Sequence, residues 1–400
     1  MRGNGASYQG ATRVHAVILT RDRPEALERC VDTALSTLRA DDALTVLDDS
    51  CAMISHANSA VLAQAARCSI AHLTHLQAEQ LHDVIARATG RHSALWQSRT
   101  APRDIAPLRN LTLLLSAAVD SQTTVLVDDD ICYFDLEATH RMLDAHYRPP
   151  GAVVVGAEIG GTTEQDTVTR LSDAIHLLQS KTHNSLLSAE ELFRVPPDSD
   201  SRRADACGWL SAGYMAFRLP ATSLFAFPPG YNEDWLWCLL HGAGGEARLL
   251  RADQVVVHEP PVLRQSTRDD ILFELAGDLI LDCLVEHRDG GPRRPESVLE
   301  DLADRAPDQS AMPSVRAETV LKQARGLSDN GQWRALGDLE SYGLSVLRDM
   351  LHSGELQMDG NRLLRVWSAD AAAKHRSFAT TLGAVTVRRA LRTALKEGKK

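Results

Sequence analysis

Several features that define common protein classes are absent from this chain. The seven cysteines include no Cys-x-x-Cys pair, which argues against a zinc site or a disulfide framework and favours reduced thiols. No apolar run approaches the roughly 18 residues of a membrane span, and the N-terminus lacks the apolar core of a signal peptide. The net charge of −10 argues against a nucleic-acid-binding protein, which needs a basic face. We therefore expect a soluble, cytoplasmic protein without an integral membrane segment.

Two common nucleotide-binding motifs are also missing. A Rossmann dehydrogenase carries G-x-G-x-x-G after its first strand, but here the corresponding turn reads Thr-Arg-Asp-Arg-Pro from Thr20. Such a turn cannot bring its backbone close to a pyrophosphate. Gly156, Gly160 and Gly161 follow a later predicted strand with the wrong spacing, and the chain has no P-loop. These absences argue against a dinucleotide-dependent dehydrogenase and a P-loop enzyme.

The first 260 or so residues alternate between strand and helix patterns. Apolar runs at 14–20 and 44–47 predict strands on either side of a helix with Asp22 as its N-cap and Pro24 in its first turn. A strand, a helix and a strand at this spacing indicate a parallel sheet. Further strands are predicted at 69–73, 123–127, 152–155 and 254–258, and further helices at 78–88, 104–119, 136–146 and 233–241.

Beyond Pro261 the pattern becomes helical. Periodic apolar positions predict helices at 271–284, 315–327, 335–352 and 370–396. A chain of 400 residues is long enough for two domains. We expect a disordered segment at 1–12, an α/β domain at 13–262 and a helical domain at 263–400. Acceptor recognition and dimerisation are the roles we consider for the helical domain.

Three consecutive aspartates at the end of a strand are the most informative feature of the sequence. Asp128, Asp129 and Asp130 follow a β-branched run, and their mutual repulsion requires a counter-charge. Mg²⁺ or Mn²⁺ supplies one, because these ions prefer oxygen ligands and often bind one or two carboxylates together with substrate phosphates. Alternation along an extended backbone makes Asp128 and Asp130 the ligands and leaves Asp129 pointing elsewhere. The alternative is an acidic turn that caps the next helix.

Other polar residues could contact a nucleotide or a metal. Asp48 and Asp49 end another strand and can accept hydrogen bonds from a base or a ribose, or else cap a helix. Arg109 can donate a fork of hydrogen bonds to a phosphate or base oxygen, or lie on a helix surface. His258 ends a strand and is either a third metal ligand or structural. We expect the remaining histidines considered to be solvated: His72, His75, His82 and His92.

Glu233 and Asp234 lie together at a predicted helix start. A carboxylate in this position can accept the proton of an acceptor hydroxyl as the hydroxyl attacks. One member of the pair could instead cap the helix, where a negative charge is stabilised by the helix dipole.

Motifs along the chain resemble those of a known family. They occur in the order Thr20–Leu27, Asp48–Ser50, Arg109-Asn110, Asp128–Asp130, Gly208–Arg218 and Glu233–Leu240. In this order they resemble a GT-A-fold glycosyltransferase, most similar to glycosyltransferase family 2. The implied fold is α/β with a mostly parallel central sheet, to which this chain adds an α-helical C-terminal domain.

The resemblance also implies a reaction. A sugar would move from a nucleotide-diphosphate donor to a hydroxyl-type acceptor, with inversion and with Asp234 favoured over Glu233 as base. The acceptor is an unspecified small molecule, glycan or peptide, and the partner could also be a second copy bound through the helical domain. The Gln-x-x-Arg-Trp signature of processive synthases is absent, so we expect single transfers.

By the same resemblance, the site residues take two roles. Mg²⁺ or Mn²⁺ would be held by Asp128, Asp130 and His258. The nucleotide-sugar would contact Thr20, Asp48, Asp49, Arg109, Asp128, Asp129 and Gly213. Two alternatives stay open: a retaining GT-A transferase, which shares the metal motif but needs no such base, and a non-catalytic GT-A scaffold, against which the intact carboxylates argue.

Overall fold

The structure, a computed structural model, describes part of the chain. The described residues are 13–64, 70–89, 105–119, 121–147, 152–157, 210–218, 226–227, 233–234, 237–238, 247–251, 256–258, 349, 352–353 and 385–397. Their strands are β1 (Val14–Thr20), β2 (Ala43–Asp48), β3 (Ile70–Thr74), β4 (Thr123–Asp128), β5 (Ile131–Phe134), β6 (Ala152–Ala157), β7 (Ser211–Arg218), β8 (Ala247–Arg251) and β9 (Val256–His258). Their helices are α1 (Pro24–Thr37), α2 (Ala52–Gln64), α3 (His75–Thr89), α4 (Ala106–Ala118), α5 (Leu136–His146) and α6 (Val385–Glu397).

Seven strands form one sheet in the order β3-β2-β1-β4-β7-β6-β8. The first four are parallel, β7 runs antiparallel to β4 and β6, and β8 is parallel to β6. The register places Thr20 opposite Asp48, and Leu19 opposite Asp128. The carboxyl ends of β1, β2 and β4 therefore meet at one edge, where ligands bind in open α/β sheets. The mostly parallel sheet predicted from the sequence is confirmed.

The sheet is covered on both faces, so its central strands β1 and β4 are almost entirely buried. All seven residues of β1 are buried. Val17 and Leu19 belong to a core cluster that includes side chains of α3 and α4, whereas Ala16 and Ile18 belong to one that includes α1 and α5. This packing holds the carboxyl edge of the sheet on a rigid base.

A second, two-stranded sheet extends the acidic turn. β5 begins directly after Asp130 and pairs antiparallel with β9, with Ile131 opposite His258. The sequence prediction lacked β5, because the strand follows β4 after only two residues and is stabilised by a distant partner. The pairing brings the backbone of residue 258 beside the three aspartates.

The predicted N-cap of α1 is wrong. Asp22 has a positive φ of 56°, and Arg23 occupies the N-cap position without a side-chain capping bond. The backbone N–H of Asp22 donates to Ser50 Oγ at 2.8 Å, and its Oδ1 accepts from the Cys51 N–H at 3.1 Å. Asp22 therefore joins the β1–α1 turn to the β2–α2 turn, and aspartate is among the residues that tolerate this left-handed conformation.

The end of the predicted helical domain packs on the α/β core. Val387 and Leu391 of α6 are buried in the cluster that contains Leu81 of α3 and Leu115 of α4. Arg392 Nε also donates to the carbonyl of Ala118, at the end of α4. Except for residues 349 and 352–353, the rest of 263–384 lies outside the described residues, as do the predicted disordered segment 1–12, Gly208 and His92.

The remaining predictions differ mainly at their ends. The helix predicted at 136–146 is confirmed as α5, and the one at 104–119 as α4. α2 is absent from the sequence prediction, and α3 extends beyond the predicted 78–88. None of the described helices has the length and apolarity needed to cross a bilayer.

Candidate functional site

Acidic residues gather at the carboxyl edge of the sheet because successive strands end there in carboxylates. Asp49 follows β2, and its N–H donates to the carbonyl of Thr20 at 2.9 Å. Asp129 follows β4, and its N–H donates to the carbonyl of Leu19 at 3.1 Å. Each acidic turn is thus bonded to the end of β1, between β2 and β4, and the residues predicted from separate motifs become neighbours.

Asp129 points inward and holds the acidic turn in place. Its side chain is completely buried, whereas those of Asp128 and Asp130 are 20% and 15% exposed. Thr20 Oγ1 donates to Asp129 Oδ2 at 2.6 Å, and Arg23 Nη2 contacts Asp129 Oδ1. This agrees with the expectation that Asp129 points away from its two neighbours. Thr20 and Asp129, both predicted to bind the nucleotide-sugar, bind one another.

Arg23 is a counter-charge that the sequence interpretation missed. Besides Asp129, it binds Asp130, whose Oδ2 accepts from Arg23 Nη1 at 3.0 Å. Arg23 lies just before α1, in the turn that follows β1. The signal in the sequence that could have identified Arg23 is its place in the turn directly after a predicted strand. The repulsion among the three aspartates is therefore partly offset by an arginine of the protein itself.

Arg109 connects two acidic segments of the site. Its Nη2 donates to Asp128 Oδ2 at 3.2 Å, and its Nη1 contacts Glu233 Oε1. The guanidinium is buried because α4 packs against the sheet with nearly all of its residues covered. The structure thus places Arg109 between the first aspartate of the acidic turn and the Glu233-Asp234 pair.

Asn110, the next residue, fixes the segment before this pair. Its Nδ2 donates to the Phe227 carbonyl at 2.8 Å, and its Oδ1 accepts from the Phe227 N–H at 2.6 Å. The ring of Phe227 stacks on Trp237 with centroids 5.2 Å apart, and both rings meet Phe217 of β7 edge-on. Helix α4 and this aromatic cluster therefore hold the chain on both sides of Glu233 and Asp234.

Asp234 faces the beginning of β7. Its Oδ2 accepts from the Ala212 N–H at 2.9 Å, and the side chain is partly exposed, whereas Glu233 is buried. Gly213, the neighbour of Ala212, lies within β7 and donates from its N–H to Ser211 Oγ at 3.3 Å. A backbone N–H that binds a carboxylate orients it without neutralising it.

Histidines bind the acidic end of β2, contrary to the expectation that they are solvated. His72 Nε2 lies 2.9 Å from Asp48 Oδ2, and His75 Nδ1 lies 2.9 Å from Asp49 Oδ1. His82 is buried in α3. The parallel pairing of β2 with β3 brings these residues together, which the spacing along the chain does not reveal. Arg21 also lies 3.8 Å from Asp49 Oδ2.

Burial and repulsion perturb the carboxylates of the acidic turn. Burial, together with the charges of Asp130 and Asp234, raises the pKa of Asp128 to about 6, although Arg109 opposes the shift. Burial likewise raises the pKa of Asp129 to about 7 against the attraction of Arg23. At Asp48 burial is outweighed by hydrogen bonds from His72 and Ser50, which hold the pKa below its usual range. Perturbed carboxylates of this kind are typical of functional sites.

The residues of the acidic turn fit a divalent cation. Asp128 Oδ1 is buried and accepts no hydrogen bond from the described residues, so an acceptor there lacks a donor. Within the described part of the chain, no three histidine, cysteine, aspartate or glutamate side chains cluster as a complete metal site. Two carboxylates with an incomplete ligand set suit Mg²⁺ or Mn²⁺, which also take substrate phosphates. The side chain of His258 lies outside the described residues.

Comparison with known proteins gives distant structural likenesses. No protein-family model and no curated protein matches the sequence. A mannosyltransferase from Pyrobaculum calidifontis, solved with GDP-Man and Mn²⁺, is 14% identical with a TM-score of 0.41, over 92% of this chain and 88% of that one. Glucosyl-3-phosphoglycerate synthase from Mycobacterium tuberculosis, solved with phosphoglyceric acid, is also 14% identical with a TM-score of 0.38, over 71% and 82%. Mouse xyloside xylosyltransferase 1 is 14% identical with a TM-score of 0.28, over 52% and 67%. These structures are glycosyltransferases, the class that the motifs resemble.

Proposed function

We propose that this protein is a glycosyltransferase that uses a divalent cation and a nucleotide-diphosphate sugar. One observation carries the proposal: the acidic turn after β4 and the Glu233-Asp234 pair meet in one site, joined by Arg109. Transfer of a sugar from a nucleotide diphosphate to an acceptor hydroxyl requires a cation for the diphosphate leaving group and a base for the acceptor, and these two acidic groups can serve them separately. The motif resemblance to family 2 supports the same reaction.

Asp128 and Asp130 are the residues that would hold the cation, with His258 as a third candidate. Bound there, Mg²⁺ or Mn²⁺ would supply positive charge to the diphosphate leaving group. Arg23 and Thr20 keep the turn in position through Asp129, so that Asp128 and Asp130 stay partly exposed. Asp49, beside His75, would contact the base or ribose of the donor, whereas the predicted contact from Asp48 is not favoured because its buried carboxylate is bound by His72 and the Ser50 N–H.

Asp234 is proposed as the base that accepts the proton of the acceptor hydroxyl. Glu233 is buried and its carboxylate contacts Arg109, whereas Asp234 is oriented by the Ala212 N–H and partly exposed, so Asp234 is the carboxylate that an acceptor hydroxyl can reach. A base on the acceptor side indicates inversion at the anomeric carbon. A product with retained configuration, determined by NMR of the anomeric proton, would contradict this assignment and favour the retaining alternative.

A thermal-shift panel tests the donor and the cation together. UDP-, GDP- and dTDP-sugars, with a CMP-sugar as the donor that lacks a diphosphate, are each added with Mn²⁺, with Mg²⁺ and with EDTA. We expect a rise in melting temperature for one nucleotide class that depends on the cation, because a ligand that binds the folded state stabilises it. Asp130→Asn should remove the cation-dependent part, whereas Asp32→Asn, on the exposed face of α1, should leave it unchanged.

Binding alone does not separate a transferase from a non-catalytic scaffold, so release of the nucleotide from the shifting donor must also be measured. Cation-dependent release supports the transferase. A rise in melting temperature without nucleotide release, whichever sugar, glycan or peptide acceptor is offered, would support the scaffold. No shift with any donor in either cation would overturn the proposal.

A further inference from the structure

A single buried guanidinium links the two halves of the site. Arg109 lies on α4, and only 6% of its side chain is exposed. Nη2 donates to Asp128, at the end of β4, while Nη1 contacts Glu233, a residue far along the chain. One carboxylate belongs to the proposed cation site, and the other adjoins the proposed base Asp234. Both contacts are shielded from water, where charge interactions are stronger than at the surface.

We propose that Arg109 is a positioning residue that couples the cation site at Asp128 to Glu233. Binding of the cation on the donor side then changes the contact of Arg109 with Glu233 on the acceptor side. The inference rests on the proposed function, because it needs Asp128 to bind the cation. It differs from the expectation that Arg109 contacts the nucleotide, since both of its Nη atoms are engaged by carboxylates of the protein.

The coupling follows from the shape of the arginine side chain. A planar guanidinium can donate to two carboxylates at once, whereas a lysine ammonium is a point charge on a flexible stem. When a cation takes Asp128 as a ligand, it competes with Arg109 for the same carboxylate. Arg109 is then bound more tightly by Glu233. Because coupling between two sites is reciprocal, a change at Glu233 that alters its contact with Arg109 must also alter the affinity of Asp128 for the cation.

The neighbouring bonds give this coupling a fixed frame. Asn110 holds the backbone of Phe227, and the N–H of Ala212 holds Asp234. The chain around Glu233 is therefore anchored to α4 and β7 independently of Arg109. An altered Arg109–Glu233 contact acts on a carboxylate next to the base rather than on a loosely held loop.

Titration of Mn²⁺ alone into the full chain, by calorimetry, tests the inference. Glu233→Gln leaves Arg109 with Asp128 as its charged partner, which strengthens that contact and opposes Mn²⁺. We expect the Kd for Mn²⁺ to rise about fivefold, at the lower end of typical coupling between sites. Asp234→Asn is the matched control. It removes the same charge from the adjacent residue without removing a partner of Arg109, and should raise the Kd distinctly less.

Arg109→Lys completes the comparison. The lysine keeps the charge but not the fork, so Glu233→Gln should change the Kd for Mn²⁺ less in this background than in the wild type. Circular dichroism melting verifies that each variant is folded, and if Arg109→Lys unfolds, the comparison of Glu233→Gln with Asp234→Asn decides alone. Equal effects of those two variants would overturn the coupling. Absence of Mn²⁺ binding to the wild type, both alone and with any donor, would instead contradict the proposed function.

Discussion

Thr20 and Asp129 tie the ends of two neighbouring parallel strands together. The Thr20 hydroxyl, at the end of β1, donates to Asp129 Oδ2 across 2.6 Å, just after β4. Both side chains are buried. The direction of the acidic turn, and hence the exposure of Asp128 and Asp130, depends on this contact between a hydroxyl and a carboxylate.

Thr20→Val should destabilise the protein measurably. Valine keeps the shape of threonine but removes a hydrogen bond to a buried charged group, which costs about 1.5–3 kcal/mol of the free energy of unfolding. The measurement is urea unfolding near pH 8, above the raised pKa of Asp129 at about 7, so that the carboxylate is ionised. Thr37→Val is the control, because Thr37 Oγ1 binds only carbonyls of its own helix. A loss no larger than the control's would show that the bond is dispensable.

His15 should make the stability depend on pH in a defined direction. It is fully buried between Ser116 Oγ at 2.8 Å and Thr45 Oγ1 at 2.9 Å, and burial, with a smaller effect of Arg13, lowers its pKa from 6.5 to about 3. A lowered pKa stabilises the fold above the unfolded value, and this contribution is lost as the pH falls through the window from 6.5 to about 3.

His15→Gln removes this titration while keeping a polar side chain. Between about pH 7 and about pH 5, the wild type should lose about 2 kcal/mol relative to the variant in the free energy of unfolding. Urea unfolding at a series of pH values measures the difference, in which the titration of all other groups cancels. A difference that stays constant, or that widens toward low pH, would contradict the assignment of His15 as a buried neutral histidine.

The sequence predicted those elements whose pattern is local. The apolar runs of β1 and β4 and the periodic apolar residues of α5 mark their positions without help from the rest of the chain. β5 was not predicted, because it follows β4 after two residues and is defined by its pairing with β9. The Asp22 cap was wrong because Ser50 and Cys51, from another turn, bind Asp22 in a left-handed conformation.

The residues of the candidate site likewise fall into those with a local signal in the sequence and those without one. Asp128, Asp130 and the Glu233-Asp234 pair were predicted as site residues from their types and their places at strand or helix ends. Their partners were not: Arg23 reaches the acidic turn from the β1–α1 turn, and His75 reaches Asp49 through the pairing of β2 with β3. Motifs therefore predicted the acidic residues, whereas the charges that oppose them follow only from the sheet order.

Leu391→Ala should destabilise the α/β core, although Leu391 lies in the predicted helical domain. Leu391 of α6 is fully buried in the cluster that includes Leu115 of α4. Removing such a side chain costs about 2–5 kcal/mol. Hydrogen exchange of peptides from α4 and β1 should become faster, while the exposed control Thr393→Ala should leave exchange unchanged. Unaltered exchange in α4 and β1 would show that α6 belongs to an independent unit.

Asp234→Asn should abolish sugar transfer while leaving donor binding nearly unchanged. Asparagine can still accept from the Ala212 N–H, so the local structure is kept, but it cannot accept the proton of an acceptor. Loss of a general base typically slows a reaction by about 10²–10⁴-fold. Release of the nucleotide from the donor that shifts the melting temperature measures turnover, and the shift itself measures binding.

Glu233→Gln is the comparison that separates the two members of the pair. Glu233 contacts Arg109 and is buried, so its loss should act through positioning and reduce turnover less than Asp234→Asn does. The pH profiles distinguish the two roles further. In the variant that lacks the base, the rise of turnover along the acidic limb of the pH profile should be lost. A variant that affects only positioning should retain that rise. If Asp234→Asn keeps turnover and Glu233→Gln loses both turnover and the acidic limb, then Glu233 is the base. Asp234, bound to the Ala212 N–H, would then only position the segment.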